Sequence, residues 1–276
     1  MKIKEFDRRI IFIFIALAVI IPLLLPLNIP IPVDKSMNNG VYRAYNLIDS
    51  LPSGSVILIS FDFDPAAAPE LLPMGQAMVA HAYSKDIGVI TTALWPQGVR
   101  FAEEALLAHA HTYQKERWND FVNLGYKAGG VVAIDNIVED IKKTYPLDLY
   151  GKSTAEIPVL QPVNTNLEGV SLIITLSAGD PGVIGWVQIG RDRYGKKVIA
   201  GCTAVSAPAY RPYFNSGQLS GLLGGMAGAA EYEQLVNLPG TASSGMDAQS
   251  IAHLFIIIFI ILGNIIYLVN RRKTVK

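Results

Sequence analysis

Apolar side chains run almost without interruption in two places, near opposite ends of the 276-residue chain. From Ile10 to Val33 only Asn28 is polar, over 24 residues. From Ile251 to Val269 the polar side chains are His253, Asn264 and the amphipathic Tyr267, over 19 residues. A helix of about 20 apolar residues matches a hydrocarbon core of roughly 30 Å, so 10–33 and 251–269 are predicted to span a membrane. Pro22, Pro26, Pro30 and Pro32 confine regular helix in the first run to about 10–22, because proline removes a backbone donor and clashes inside a helix. A kinked or extended exit should follow. Gly263 suits close helix contact in the second run.

Between the runs the pattern breaks into short segments. Residues 34–40 (DKSMNNG) are a polar, turn-rich linker. Val41, Ala44, Tyr45, Leu47, Ile48 and Leu51 are spaced like one face of a helix, stopped by Pro52-Ser-Gly54. Residues 55–61 (SVILISF) form a continuous β-rich run of the kind buried on both faces in parallel sheets. The same reading predicts helices over 65–85 and 99–116, and strands over 88–94 (GVITTAL), 121–125 and 131–134. Beyond them it predicts a helix over 136–145, a strand over 170–176 (VSLIITL), helical spacing over 183–194 and a strand over 197–204 (KVIAGCTA). A last helix is predicted over 216–236, and 237–249 (NLPGTASSGMDAQ) reads as a flexible connection. Alternating strands and helices argue for a Rossmann-like or flavodoxin-like α/β fold. Its parallel sheet carries helices on both faces, flanked here by N- and C-terminal transmembrane helices.

Charge orients this arrangement. Lys2, Lys4, Arg8 and Arg9 precede the first run, and Arg271, Arg272, Lys273 and Lys276 follow the second. Basic flanks stay cytoplasmic, which places 1–9 and 270–276 inside and 34–250 outside the cytoplasm of a cell membrane. The first run lacks an Ala-x-Ala cleavage pattern and reads as an uncleaved signal anchor. Without the flanks, the middle region keeps 23 − 8 = 15 basic and 23 − 2 = 21 acidic residues, a net charge of −6. That balance argues against nucleic acid, which needs basic patches. Cys202 is the sole cysteine, so no intrachain disulfide forms, and its apolar setting suggests a buried small hydrophobe.

Ligands of open parallel sheets bind at the carboxyl ends of the strands. Those ends carry Asp62 and Asp64, then Thr91, Thr92 and Trp95, then Ser177 and Asp180, then Thr203, which makes Asp62, Thr91, Thr92, Trp95, Ser177 and Thr203 candidate ligand-binding residues. Asp64-Pro65 and Asp180-Pro181 also look like helix starts, with Asp as N-cap and Pro at the first helical position. Asp62 has no such explanation. A strand ending in Asp62-Phe63-Asp64 resembles the first motif of the haloacid-dehalogenase-like phosphatases, and Gly179-Asp180 resembles their metal-binding motif. The resemblance implies Asp62 as nucleophile, Asp64 as general acid and Mg²⁺ as cofactor. It departs from the pattern at Pro65 and in lacking a second acid after Asp180. No G-x-S-x-G elbow occurs, and His109 and His111, two apart on a predicted helix, face different directions. Neither a metal site nor any cofactor outside the phosphatase reading is predicted.

The stretch GQLSGLLGGMAGAAEYE places Gly217, Gly221 and Gly225, and likewise Gly224 and Gly228, four apart. Small residues at that spacing permit tight helix contact, and Tyr210, Tyr213 and Phe214 just before it are of types enriched in interfaces. Close packing inside the domain, or a break near Gly224-Gly225, would account for so many glycines; the same residues are also candidates for contact with other membrane-protein subunits or a second copy. The leading expectation is a non-enzymatic scaffold or complex subunit held in the bilayer by two helices. A small-ligand receptor and the phosphatase are the alternatives.

Overall fold

A computed structural model describes residues 8–25, 27 and 29–274. The chain divides into two compact units, residues 1–30 with 243–276, and residues 31–242. Lys2, Lys4, Pro26, Asn28 and Lys276, invoked above, lie outside the described residues.

In the second unit the continuous apolar runs become the strands of a sheet. β1 (Val56–Asp62) is buried along its whole length, as are nearly all positions of β2 (Gly88–Ala93), β3 (Phe121–Tyr126), β4 (Val170–Ser177), β5 (Val198–Cys202) and β6 (Gly221–Gly224). The order is β3-β2-β1-β4-β5-β6 and every pairing is parallel. Parallel strands need covering on both faces. One face packs against α2 (Gly40–Asp49), α3 (Ala68–Ser84), α4 (Gly98–Ala108) and α9 (Gly225–Leu235). The other packs against α5 (Val131–Glu139), α7 (Gly182–Trp186) and a π-helical segment, Val187–Arg193. Its core includes Leu58, Ile90, Val122, Ile134, Ile173 and Trp186. The order of use reverses between β1 and β4, the topological switch point of a Rossmann-like sheet.

Several elements differ from expectation. Residues 131–134 are not a strand but the start of α5. A run of four apolar residues does not distinguish the two by periodicity, and burial of Ala133, Ile134, Ile137 and Val138 follows a helix face. The helix expected over 136–145 breaks at Asp140, whose carboxylate accepts the Lys143 N–H at 3.0 Å and caps a short α6 (Ile141–Thr144). α4 stops at Ala108, so His111 lies beyond any helix. Residues 207–215, for which the pattern predicted no element, form α8 (Ala207–Asn215).

The largest correction concerns 216–236. No single helix forms: 221–224 are β6, and α9 begins at Gly225 with a φ of 64°. Glycine disfavours helix, and Leu222 and Leu223 extend the sheet instead. A Cβ at Gly221 would lie 2.8 Å from the Ala44 Cβ, and one at Gly40 would lie 2.4 Å from the Leu222 carbonyl oxygen. The missing side chains therefore let α2 rest directly on the edge strand.

The first unit holds α1 (Arg8–Leu24) and most of α10 (Thr241–Thr274). The stretch expected to be flexible is helical from Thr241 onward. One described helix, over Thr241–Val269, is long and apolar enough to cross a membrane, with a mean hydropathy of 2.6. α1, at 17 residues, falls short of the usual length of about 20. Phe14 stacks on Phe255 with ring centroids 6.1 Å apart and meets Phe259 at 6.3 Å. After α1, the Asp247 carboxylate accepts the N–H of Leu27 at 3.1 Å and of Ile29 at 3.2 Å.

Candidate functional site

The switch point lies where β1 and β4 end side by side, with Asp62 in register with Ser177 and Ser60 with Thr175. Side chains alternate along a strand, so these four residues share the face on which Trp186 packs. Asp62 is fully buried. Its carboxylate accepts the Ser60 hydroxyl at 2.9 and 2.8 Å and the Leu94 N–H at 2.7 Å. Burial pushes its pKa up to about 6, while the bonds from Leu94 and Ser60 oppose that rise. The Trp186 indole is a looser neighbour of the same carboxylate, and its Nε1 has no partner at hydrogen-bond distance. The Thr175 hydroxyl is likewise buried without a partner. Beside them, the hydroxyls of Thr92 and Tyr145 share a 2.5 Å hydrogen bond.

The other strand-end residues are occupied by their own chain. The Trp95 indole N–H donates to the Asp180 carbonyl at 2.8 Å, reaching across the mouth of the switch point. Gly179 lies under that indole, where a Cβ would sit 3.0 Å from the ring. Ser177 donates to the Gly179 carbonyl at 2.7 Å, and a Cβ on Gly182 would meet the Ser177 Oγ at 1.9 Å. Glycine is thus required where α7 starts. Thr203 donates to Ser206 Oγ at 3.0 Å. Thr91 sits on the opposite face of the sheet from Thr92 and donates to the Val122 carbonyl. The structure brings Asp62 and Thr92 into one buried polar cluster with Ser177, and leaves Thr91 and Thr203 outside it.

The two Asp-Pro pairs part company. Asp64 Oδ1 accepts the N–H groups of Ala66 and Ala67 at 3.1 and 3.2 Å, capping the turn that leads into α3. Asp180 caps nothing: α7 begins at Gly182, after Pro181, with no side-chain cap. Asp62, Asp64 and Asp180 do not assemble a metal-holding group, and no cluster of three or more His, Cys, Asp or Glu suited to a metal occurs among the described residues.

The candidate interface residues are placed as follows. Gly224 meets Ala207, Gly225 meets Ala204, and Gly228 meets Leu223 within the α/β unit, while Gly217 has open space around it. Phe214 is buried, with the Arg43 guanidinium 4.7 Å from its ring centroid, and Tyr210 and Tyr213 pack partly buried on the core. Cys202 is buried, and its thiol pKa is pushed up to about 12 by burial. The site residues that sequence reasoning missed are Ser60, Tyr145, Thr175 and Trp186. A signal for two of them exists: Ser60 with Asp62, and Thr175 with Ser177, are polar pairs two apart, so each pair shares one strand face.

Comparison with protein-family models, curated proteins and solved structures finds no match for this chain. This cluster can hold a proton on Asp62 up to about pH 6, inside a closed core.

Proposed function

We propose that this chain is a membrane-held α/β protein whose 34–250 region stands outside the cytoplasm as a non-enzymatic scaffold or subunit of a membrane complex. The enclosure of Asp62 carries this reading. A nucleophile or general acid must come within hydrogen-bond reach of its substrate, whereas the Asp62 carboxylate is sealed from solvent and bonded to Ser60 and Leu94. Two features of the apolar unit support the anchoring role. α1 packs on α10 through Phe14, which supports counting the shorter helix as part of a two-helix anchor. A Cβ on Gly263 would have nothing within 4 Å, which leaves room for the close approach of another helix. Asn264 bonds to the Ile260 carbonyl of its own helix at 2.9 Å, so contact with a neighbouring helix rests on shape at Gly263.

Extraction in a gentle detergent is expected to retrieve a homo-oligomer or stoichiometric partner proteins, with Gly263→Ile weakening the association. A monodisperse 30.0 kDa monomer without companions would contradict the proposal.

A further inference from the structure

A groove of about 750 Å³ opens beside the edge strand β6 and contains none of the Asp62 cluster. Sites for small molecules usually enclose about 300–1,000 Å³, so the space suits a compact ligand. Its walls include Leu222 of β6 and residues of α2, α8 and α9. Those walls are set by backbone packing, since Gly40 rests on Leu222, Gly224 on Ala207 and Gly225 on Ala204.

Charges of both signs line this groove without neutralising one another. Asp34 and Glu231 are neighbouring acids within it. The Asn39 amide donates to Glu231 Oε1 at 2.6 Å, and Asp34 accepts the backbone N–H and hydroxyl of Ser36, both at 2.9 Å. Burial, with a further contribution from the Asp34 charge, pushes the Glu231 pKa up, and neither acid takes part in an ion pair among the described residues. Arg211 lines the same groove and is exposed. It is absent from the ion pairs among the described residues, and its guanidinium lies over the Phe214 ring at 5.7 Å. An ammonium offers three donors and no acceptor, and a guanidinium grips an anionic group with paired N–H donors. A ligand with a single charge would satisfy only one side.

We propose that this groove binds a small zwitterion, its ammonium received by Asp34 and Glu231 and its anionic group held by Arg211. Free α-amino acids and phosphoethanolamine carry this chemistry, and phosphoethanolamine also occurs as a lipid headgroup. The inference is independent of the scaffold reading, because it needs only the α/β unit.

The test is thermal unfolding of the full chain in detergent with neutral amino acids or O-phosphoethanolamine at about 10 mM, against acetate and ethylamine as single-charge controls. Molecules with both charges should raise Tm by about 2 °C or more, and the controls should not. Arg211→Gln and Glu231→Gln should each abolish the rise; Glu231→Gln keeps an oxygen for Asn39, so the fold has no reason to fail. A second arm uses nanodiscs of phosphatidylcholine with or without phosphatidylethanolamine. A rise with the free molecules assigns the ligand to solution. A rise only with the primary-amine headgroup, lost in Arg211→Gln, assigns it to lipid. No rise in either arm, equal rises from the single-charge controls, or a rise that survives both substitutions would overturn the proposal.

Discussion

Asp62 sits where an enzyme of this topology would place a reactive group, yet its environment makes it a burden on stability. A buried carboxylate without a cation is unfavourable, and the raised pKa expresses this. In the unfolded chain the group has an ordinary carboxylate pKa of 3.8, and in the fold about 6. The protonated form is therefore favoured in the folded state. The associated stability is fully present below the unfolded value and is lost as pH rises through about 6. The difference corresponds to roughly 3 kcal/mol at neutral pH and above. Asp62→Asn keeps an acceptor for Leu94 and carries no charge. It is expected to unfold at higher denaturant than wild type at pH 8, by about 1–3 kcal/mol, with the gain shrinking toward pH 4. A variant less stable than wild type at both pH values would show that the carboxylate is stabilising, contrary to this account. His81 titrates with the opposite effect. It is buried, with Nδ1 2.9 Å from the Tyr232 hydroxyl and Nε2 3.5 Å from Asp49, and burial holds its pKa below the usual value. Its neutral form is favoured on folding, so its contribution is present above pH 6.5 and falls as the pH drops toward its lowered folded value. Asp62→Asn should leave that acid-side loss without the opposing contribution of Asp62.

At the scale of elements, the apolar runs were legible because a buried parallel strand has no polar face to confuse the pattern. Residues 55–61, 88–94, 121–125, 170–176 and 197–204 all became strands within a residue or two of their ends. The glycine-rich stretch was half legible: close packing explains its glycines, but their spacing of four fits a helix and hides the strand β6. Gly221 serves contact between α2 and β6, which no local pattern encodes. The polar cluster was half legible for the same reason. Ser60 and Thr175 mark one face of their strands, whereas Trp186 and Tyr145 reach it only through tertiary packing. Close approach also yields a prediction. A Cβ at Gly98 would fall 1.8 Å from the Phe61 carbonyl oxygen, where α4 starts against the end of β1. Gly98→Ala must push apart two backbones, and is expected to cost about 3 kcal/mol or more in chemical denaturation. A loss under about 1 kcal/mol would mean that α4 does not start against β1 as described.

At the scale of the whole molecule, the proposal turns on how many times the chain crosses the bilayer. α10 has the length and composition for one crossing. α1 has 17 helical residues, and Leu27 and Ile29 beyond it bond to Asp247 of α10. The amino-acid pattern shows both apolar runs but does not show that the second helix starts at Thr241, because TASSGMDAQS contains turn-forming residues that only the fold recruits. Two crossings with basic ends inside would leave the α/β unit on the outer side. The chain suits a labelling test, since its single cysteine, Cys202, is buried. The most direct measurement is reaction of intact cells with a membrane-impermeant maleimide, after placing one cysteine at Lys2, at Lys276 or at Val205, which is 89% exposed. The account predicts labelling at Val205→Cys in intact cells, and at Lys2→Cys and Lys276→Cys only after the membrane is opened. Labelling of Lys2→Cys from outside, or protection of Val205→Cys, would contradict it.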